Sequence, residues 1–186
     1  MHAEDDLVAR ALGGESAAFE EIVRASYGRL YATAFHLLGN HEDAEDVTQE
    51  CLVRAHAALA LYRSEGSFAG WLRRILVHLV RDRYRRRGRR PLDEPLAGEE
   101  LTRGGRAPSE LLGERELALL VAGALERLPE SLRIAFLLRT REGLSYDEIS
   151  HTTGVTPATA RTQVMRARRA LAERLRPYLD SREDGR

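Results

Sequence analysis

From Asp5 to about Arg87, apolar residues recur at three- and four-residue steps, the spacing of helices that each bury one face. The pattern breaks at Gly13-Gly14, at Gly39-Asn40 and at Ser64-Glu65-Gly66, so four helices are expected. The fourth is the clearest: Phe68, Trp71, Leu72, Ile75, Leu76, Leu79 and Val80 form a stripe behind Ser67, a residue suited to N-capping. Periodicity disappears from Pro91 to Glu110, where three prolines, three glycines and several acids mark a flexible linker. Helical spacing returns over Leu111 to Leu128 and over Pro129 to Glu142, with Pro129 placed for a first helical turn and Gly143 for a C-cap.

After Gly143 the punctuation is denser. Ser145 and Glu148 have capping-box spacing, Gly154 supplies a turn, and Thr156-Pro157 offers an N-cap followed by a first-turn proline. A short helix, a tight turn and a longer helix are the layout of a helix-turn-helix, whose second helix presents its N-terminal side chains to the major groove. In that second helix Ala160, Val164, Ala167 and Leu171 fall on the core side. Arg161, Thr162, Gln163, Met165, Arg166 and Arg169 fall outside it, with donors for phosphates and base edges. No strand and no repeat is evident. The expectation is an all-α protein of two small helical domains joined by a flexible linker. They are a four-helix unit over residues 1–90, a linker over 91–110, a helix-turn-helix unit over 111–180 free to swing, and a tail over 181–186.

Size and composition agree with this division, since 186 residues can build two modest cores and 43% apolar with 31% charged residues suits a folded globular chain. Cys51 is alone, so no internal disulfide can form, and it falls at a helical step from Ala44 and Val47 that suits a small core residue. The start MHAEDDLVARAL is acidic where a secretory signal is basic, and no apolar run is long enough to span a membrane. A cytoplasmic protein without membrane insertion is expected. His36, His41 and His56 lack metal-ligand spacing, and no phosphate loop or nucleophile with an adjacent base occurs. No catalytic residue, metal or cofactor is expected.

Net charge is zero, so nucleic-acid binding has to rest on where the charges lie. All 29 basic residues are arginine. His41 to Glu50 holds five acids and no arginine, whereas Arg63 to Arg90 holds ten arginines against Glu65 and Asp82. Pro157 to Arg176 adds six arginines against Glu173. A charged run is usually a solvated helix face, but seven arginines within Arg81 to Arg90 repel one another unless a polyanion takes up their charge. Trp71 belongs with the core. Tyr84, inside the arginine run, fits core packing and stacking on an unpaired base equally well.

The run DAEDVTQECLVRAHAAL from Asp43 to Leu59, followed by FAGWLRRILVHLVRDRYRRR from Phe68 to Arg87, resembles region 2 of the extracytoplasmic-function (ECF) sigma factors of bacterial RNA polymerase. The run ALERLPESLRIAFLLRTREGLSYDEISHTTGVTPATARTQVMRARRAL from Ala124 to Leu171 resembles region 4 of the same family. The resemblance implies a non-enzymatic subunit that directs polymerase to promoters. It implies that Asp43, Glu45, Asp46, Gln49 and Glu50 dock on a coiled coil of the polymerase's largest subunit, and that the flap region is a second contact. Ser64, Glu65, Gly66 and Ser67, with Arg74, His78, Arg81, Tyr84 and Arg85, would then recognise and open the minus-10 element. Thr156, Thr159, Arg161, Thr162, Gln163, Met165, Arg166 and Arg169 would read the minus-35 element. An anti-sigma factor is an expected partner on the same ground. The chain departs from the family at His78, where asparagine is usual, and at Ala158 and Gln163, where glycine and arginine are more frequent.

Two other classes compete. A self-sufficient regulator with a sensory N-terminal domain explains the helix-turn-helix but not an acidic helix beside an arginine-rich one. A DNA-processing enzyme lacks any constellation to do chemistry.

Overall fold

The computed structural model describes residues 3–63, 67–87 and 108–183, leaving aside the side chains of residues 3–5, 87, 108–116 and 179–183. Every element among them is helical: α1 (Ala3–Leu12), α2 (Ser16–Leu38), α3 (His41–Ala58), a 3-10 turn at Leu59–Leu61, and α4 (Phe68–Arg87), followed by α5 (Pro108–Glu126), α6 (Glu130–Thr140), α7 (Tyr146–Thr153) and α8 (Pro157–Glu183).

The breaks read from the sequence have local causes. Gly39 ends α2 in the left-handed conformation at φ 69°, and its N–H donates to Phe35 O at 2.8 Å. Asn40 then caps α3 by accepting from the Asp43 amide at 2.9 Å, with Glu42 and Asp43 in the favourable first turn. Ser67 caps α4 by accepting from the Gly70 amide at 3.1 Å. Three boundaries differ from expectation. Pro129 is the N-cap of α6, not its first helical residue, because its ψ of 139° is extended. The helix expected from Leu111 begins at Pro108, inside the expected linker, and α8 runs to Glu183, past the expected end at 180.

The larger difference is in the packing. Two separate cores were expected, but one buried cluster runs from Val8 in α1 through α2, α3 and α4 into Ile134, Leu138, Ile149 and Val164 of the C-terminal helices. A smaller cluster of Ala124, Leu128, Ala167 and Leu171 joins α5, α6 and α8. Helix α4 lies between α2 and α3 on one side and α7 on the other, and α6 also meets α2. This explains why α4 buries more than its expected stripe. Val77 is fully buried and Tyr84 nearly so, although Val77 lies about 140° around the helix from Leu72 and Tyr84 about 140° from Leu79. They share a face with Arg74 and Arg81, which reach α7. The C-terminal unit is therefore docked on the N-terminal one.

Candidate nucleic-acid interface

The helix-turn-helix is built as its punctuation suggests. Ser145 Oγ accepts from the Glu148 amide at 3.2 Å, and Glu148 Oε2 accepts from the Ser145 amide at 2.8 Å, a complete capping box. The Ser145 amide and hydroxyl hold the Glu148 carboxyl below its ordinary pKa. Gly154 makes the turn at φ 76°, and Thr156 Oγ1 caps α8 by accepting from the Thr159 amide at 3.2 Å. Ala160, Val164, Ala167 and Leu171 are buried, as the spacing required.

The outward face of α8 carries the residues assigned to the minus-35 element, though they are not equivalent. Met165 is 63% exposed, and Arg166 and Arg169 stand in solvent, Arg169 pairing with Glu173 at 2.9 Å. Arg161 is exposed with its guanidinium 5.1 Å from the Tyr146 ring centroid, which holds it near the start of the helix. Thr156 and Thr159 are linked through their hydroxyls at 2.8 Å in the cap, and Thr162 donates to Ala158 O at 2.9 Å. Gln163 is half-buried.

The minus-10 assignments divide more sharply. Ser64, Glu65 and Gly66 lie outside the described residues, and Ser67 is occupied in capping α4. His78 and Arg85 are exposed, Arg85 paired with Asp82 one turn earlier. Arg74 is exposed as well, with its Nε donating to His151 O of α7 at 2.9 Å, whereas Arg81 is half-buried and its Nη1 donates to Thr153 O at 3.0 Å. Tyr84 is no stacking platform in this arrangement. It is buried, donates its hydroxyl to Leu37 O, and lies under the Arg133 guanidinium, 3.8 Å from the ring centroid. Burial is the main reason its pKa rises from 10.0 to about 12.

On α3 the acidic face is partly committed within the chain. Arg83 Nη2 bridges Asp43 Oδ1 at 2.6 Å and Asp46 Oδ2 at 2.8 Å. Gln49 donates to Glu45 at 3.3 Å and Glu50 pairs with Arg54 at 2.6 Å, all four side chains lying in solvent. Asp43 is half-buried, whereas Glu45, Asp46, Gln49 and Glu50 are exposed beside Val53, which is 69% exposed. Cys51, on the opposite face, is fully buried, donates to Leu72 O at 3.5 Å, and burial pushes its thiol pKa up to about 12, so it packs as a small apolar residue.

Several residues that hold these surfaces were not singled out by the sequence. Arg83 sits in the arginine run and looked like its neighbours. Glu142 accepts from Thr33 Oγ1 at 2.9 Å and bonds His36 Nδ1 at 2.7 Å, and Arg133 covers Tyr84. Glu142 is about a hundred residues from its partners and Arg133 about fifty from Tyr84, and no spacing rule links them. No group of side chains suited to a metal occurs among the described residues.

Comparison with known proteins fits this arrangement. Residues 8–90 match the family described as Sigma-70 region 2, and residues 118–171 match Sigma-70, region 4. The "ECF RNA polymerase sigma-E factor" of Escherichia coli K12 is 32% identical over 181 residues, covering 93% of this chain and 94% of that one. The "RNA polymerase sigma-H factor" of Pseudomonas aeruginosa is 31% identical over 184 residues, covering 95% of each. The "ECF RNA polymerase sigma factor SigE" of Mycolicibacterium smegmatis is 37% identical over 172 residues, 91% of this chain but 65% of that longer relative. Among solved structures, CnrH in complex with the cytosolic domain of CnrY superposes with a TM-score of 0.67 at 26% identity, covering 95% of this chain and 99% of that one. The sigma factor RpoE of Bartonella quintana, solved with the anti-sigma factor NepR, shares the fold at a TM-score of 0.66 and 24% identity, covering 85% of this chain and 96% of that one. With region 2 and region 4 both present in order on an all-helical frame, the chain belongs to the ECF sigma factors, non-enzymatic initiation factors that direct RNA polymerase to promoters.

Proposed function

We propose that this chain divides promoter recognition between its two units and docks on core polymerase through α3. The observation that carries this reading is the outward face of α8. A capped helix in a helix-turn-helix presents Arg161, Met165, Arg166 and Arg169 to solvent, with its opposite face locked in the core. That face reads the minus-35 element. Thr156, Thr159 and Thr162, engaged in the cap and the helix backbone, position it, and half-buried Gln163 lies at its edge.

Glu45, Asp46, Gln49 and Glu50 form the exposed polar face offered to the coiled coil of the polymerase's largest subunit, with Asp43 fixing the start of α3 behind them. The exposed leucines Leu119 and Leu120 of α5 give the C-terminal unit an apolar surface for the flap region. The minus-10 element falls to the loop before α4 and to Arg74, His78, Arg81 and Arg85, with Tyr84 supporting them from the core. An anti-sigma factor that covers these faces is the expected inhibitor, and the work is done in the cytoplasm with polymerase. No helix among the described residues is long and apolar enough to cross a membrane.

The test uses holoenzyme assembled from core polymerase and this chain on the promoter of its own operon. Replacing Arg166 with alanine should lower promoter affinity and flatten the dependence of log affinity on log salt by roughly 0.9 for the lost phosphate contact. An unchanged slope would remove α8 from the DNA. A shift of the same fragment by the chain alone, as tight as with polymerase, would favour a self-sufficient regulator.

A further inference from the structure

The arginine-bearing face of α8 carries one group out of keeping with its neighbours. Met165 is 63% exposed, whereas Val164, Ala167 and Leu171 of the same helix are buried and Leu175 is half-buried. At about 100° per residue, Met165 lies within about 40° of Arg161, one turn before it, and of Arg169, one turn after it. Ala158 and Ala172, seven residues to either side and also exposed, stand nearly in line with it. The thioether is therefore the long apolar group at the centre of a cationic face. A single exposed apolar side chain is ordinary on a protein surface. It is not neutral on a face laid into the major groove, because there it must rest on a base edge.

Base edges in that groove are donors and acceptors, with one exception: the C5-methyl group of thymine. Over a donor or acceptor, a thioether displaces water and returns no hydrogen bond, which costs affinity. Over the thymine methyl it removes apolar surface from water on both sides of the contact. The guanidiniums of Arg161, Arg166 and Arg169 match purine acceptors and phosphate oxygens and do not register a methyl group. Ala158 and Thr162 carry methyl groups on this face too, Thr162 with its hydroxyl turned back to Ala158 O at 2.9 Å. Neither extends as far from the helix axis as the unbranched, freely rotating side chain of Met165.

We propose that Met165 is a specificity-determining residue that reads the C5-methyl group of a thymine in the minus-35 element. The inference rests on the reading of that element by α8 and names the chemical group it recognises. Recognition then combines cations that fix the helix on the backbone with an apolar tip that favours one base at one step and penalises the others.

The test uses holoenzyme assembled from core polymerase and the full chain, with wild type, Met165→Ala and Thr162→Ser compared at one salt concentration. Met165 stands in solvent, so its replacement by alanine, a strong helix former, leaves the helix intact. Selection from promoters randomised across the minus-35 element should enrich thymine at one step with wild type and lose that preference with Met165→Ala. In the selected promoter, deoxyuridine in place of that thymine removes the methyl group alone. It should weaken wild-type binding about fourfold, the worth of burying one methyl group, and leave Met165→Ala binding unchanged. Met165→Leu, which keeps an apolar tip, should retain sensitivity to uracil. The salt slope of Met165→Ala should equal that of wild type, because a thioether neutralises no phosphate.

A wild type indifferent to uracil at every thymine of the element would overturn the proposal. So would a uracil effect that persists in Met165→Ala, or one that disappears in Thr162→Ser instead. Failure of the underlying reading looks different: Arg166→Ala would leave both the salt slope and the selected minus-35 sequence as they are in wild type.

Discussion

Replacing Arg83 with alanine should cost fold stability and leave DNA affinity alone, although this residue sits in a run that otherwise looks made for phosphates. Its Nη2 lies 2.6 Å from Asp43 Oδ1 and 2.8 Å from Asp46 Oδ2. The two halves of the bridge differ: the Asp43 side chain is 15% exposed, the Asp46 side chain 60%, and that of Arg83 itself 27%. A charge-assisted hydrogen bond to a mostly desolvated carboxylate contributes about 1.5–3 kcal/mol, and its loss leaves that charge less compensated. The solvent-screened half to Asp46 contributes about 0–1 kcal/mol. Arg83→Ala should therefore destabilise by about 2–3 kcal/mol, and at about 2–4 °C per kcal/mol for a chain of this size the melting temperature should fall by about 4–12 °C. Asp46→Ala should cost less than about 1 kcal/mol. Thermal and urea denaturation of Arg83→Ala, Asp43→Ala and the double variant would isolate the coupling, expected at about 1.5 kcal/mol or more. The reasoning is refuted if Arg83→Ala melts with the wild type while flattening the salt dependence of promoter binding, since that would return Arg83 to the DNA.

Burial holds the folded Tyr84 pKa near 12 against an ordinary 10.0, with Arg133 opposing and Glu130 and Glu126 adding to the shift. Because the folded value is the higher, stability is unaffected below pH 10 and falls as pH rises from about 10 to 12, by roughly 2–3 kcal/mol at most from this group. Tyr84→Phe should remove that part of the alkaline loss in pH-dependent urea melts, leaving the part due to Cys51, and an identical alkaline slope would contradict the burial. Two glycines should respond oppositely to alanine. Gly154, at φ 76° with open space around a new Cβ, should lose about 1 kcal/mol from backbone strain alone. Gly28, mid-helix in α2 and equally unobstructed, should gain about 0.5–1 kcal/mol, and equal melting shifts for the two would refute the conformational account.

Much of the fold was legible because its signals are local. The capping box at Ser145, the left-handed turns at Gly39 and Gly154, and the core side of α8 each depend on residues within a few positions of one another. The same locality explains what was missed. Pro129 looked like a first-turn residue because proline favours that place, but only the backbone shows it one step earlier as the cap. Val77 lay off the expected stripe of α4 because that stripe assumes one buried face, whereas α4 is covered on two. Arg83, Arg74 and Arg81 were indistinguishable in sequence from the other arginines, since what sets them apart is an acid or a carbonyl on a helix far along the chain. The residues assigned by resemblance lie on α3, α4 and α8 or at their caps, except Ser64, Glu65 and Gly66, which fall outside the described residues. Whether each is free to act depends on contacts such as Arg133 on Tyr84 that no pattern announces.

The account depends most on the exposed polar face of α3 holding the transcription machinery, and gel filtration of the chain with sigma-free core polymerase at low salt tests this directly. The wild type should co-elute with polymerase. The same chain carrying Glu45→Arg, Asp46→Arg and Glu50→Arg, all on exposed positions, should elute alone while still folded by circular dichroism. A wild type that never joins polymerase, or a reversed face that joins as well as the original, would contradict the account.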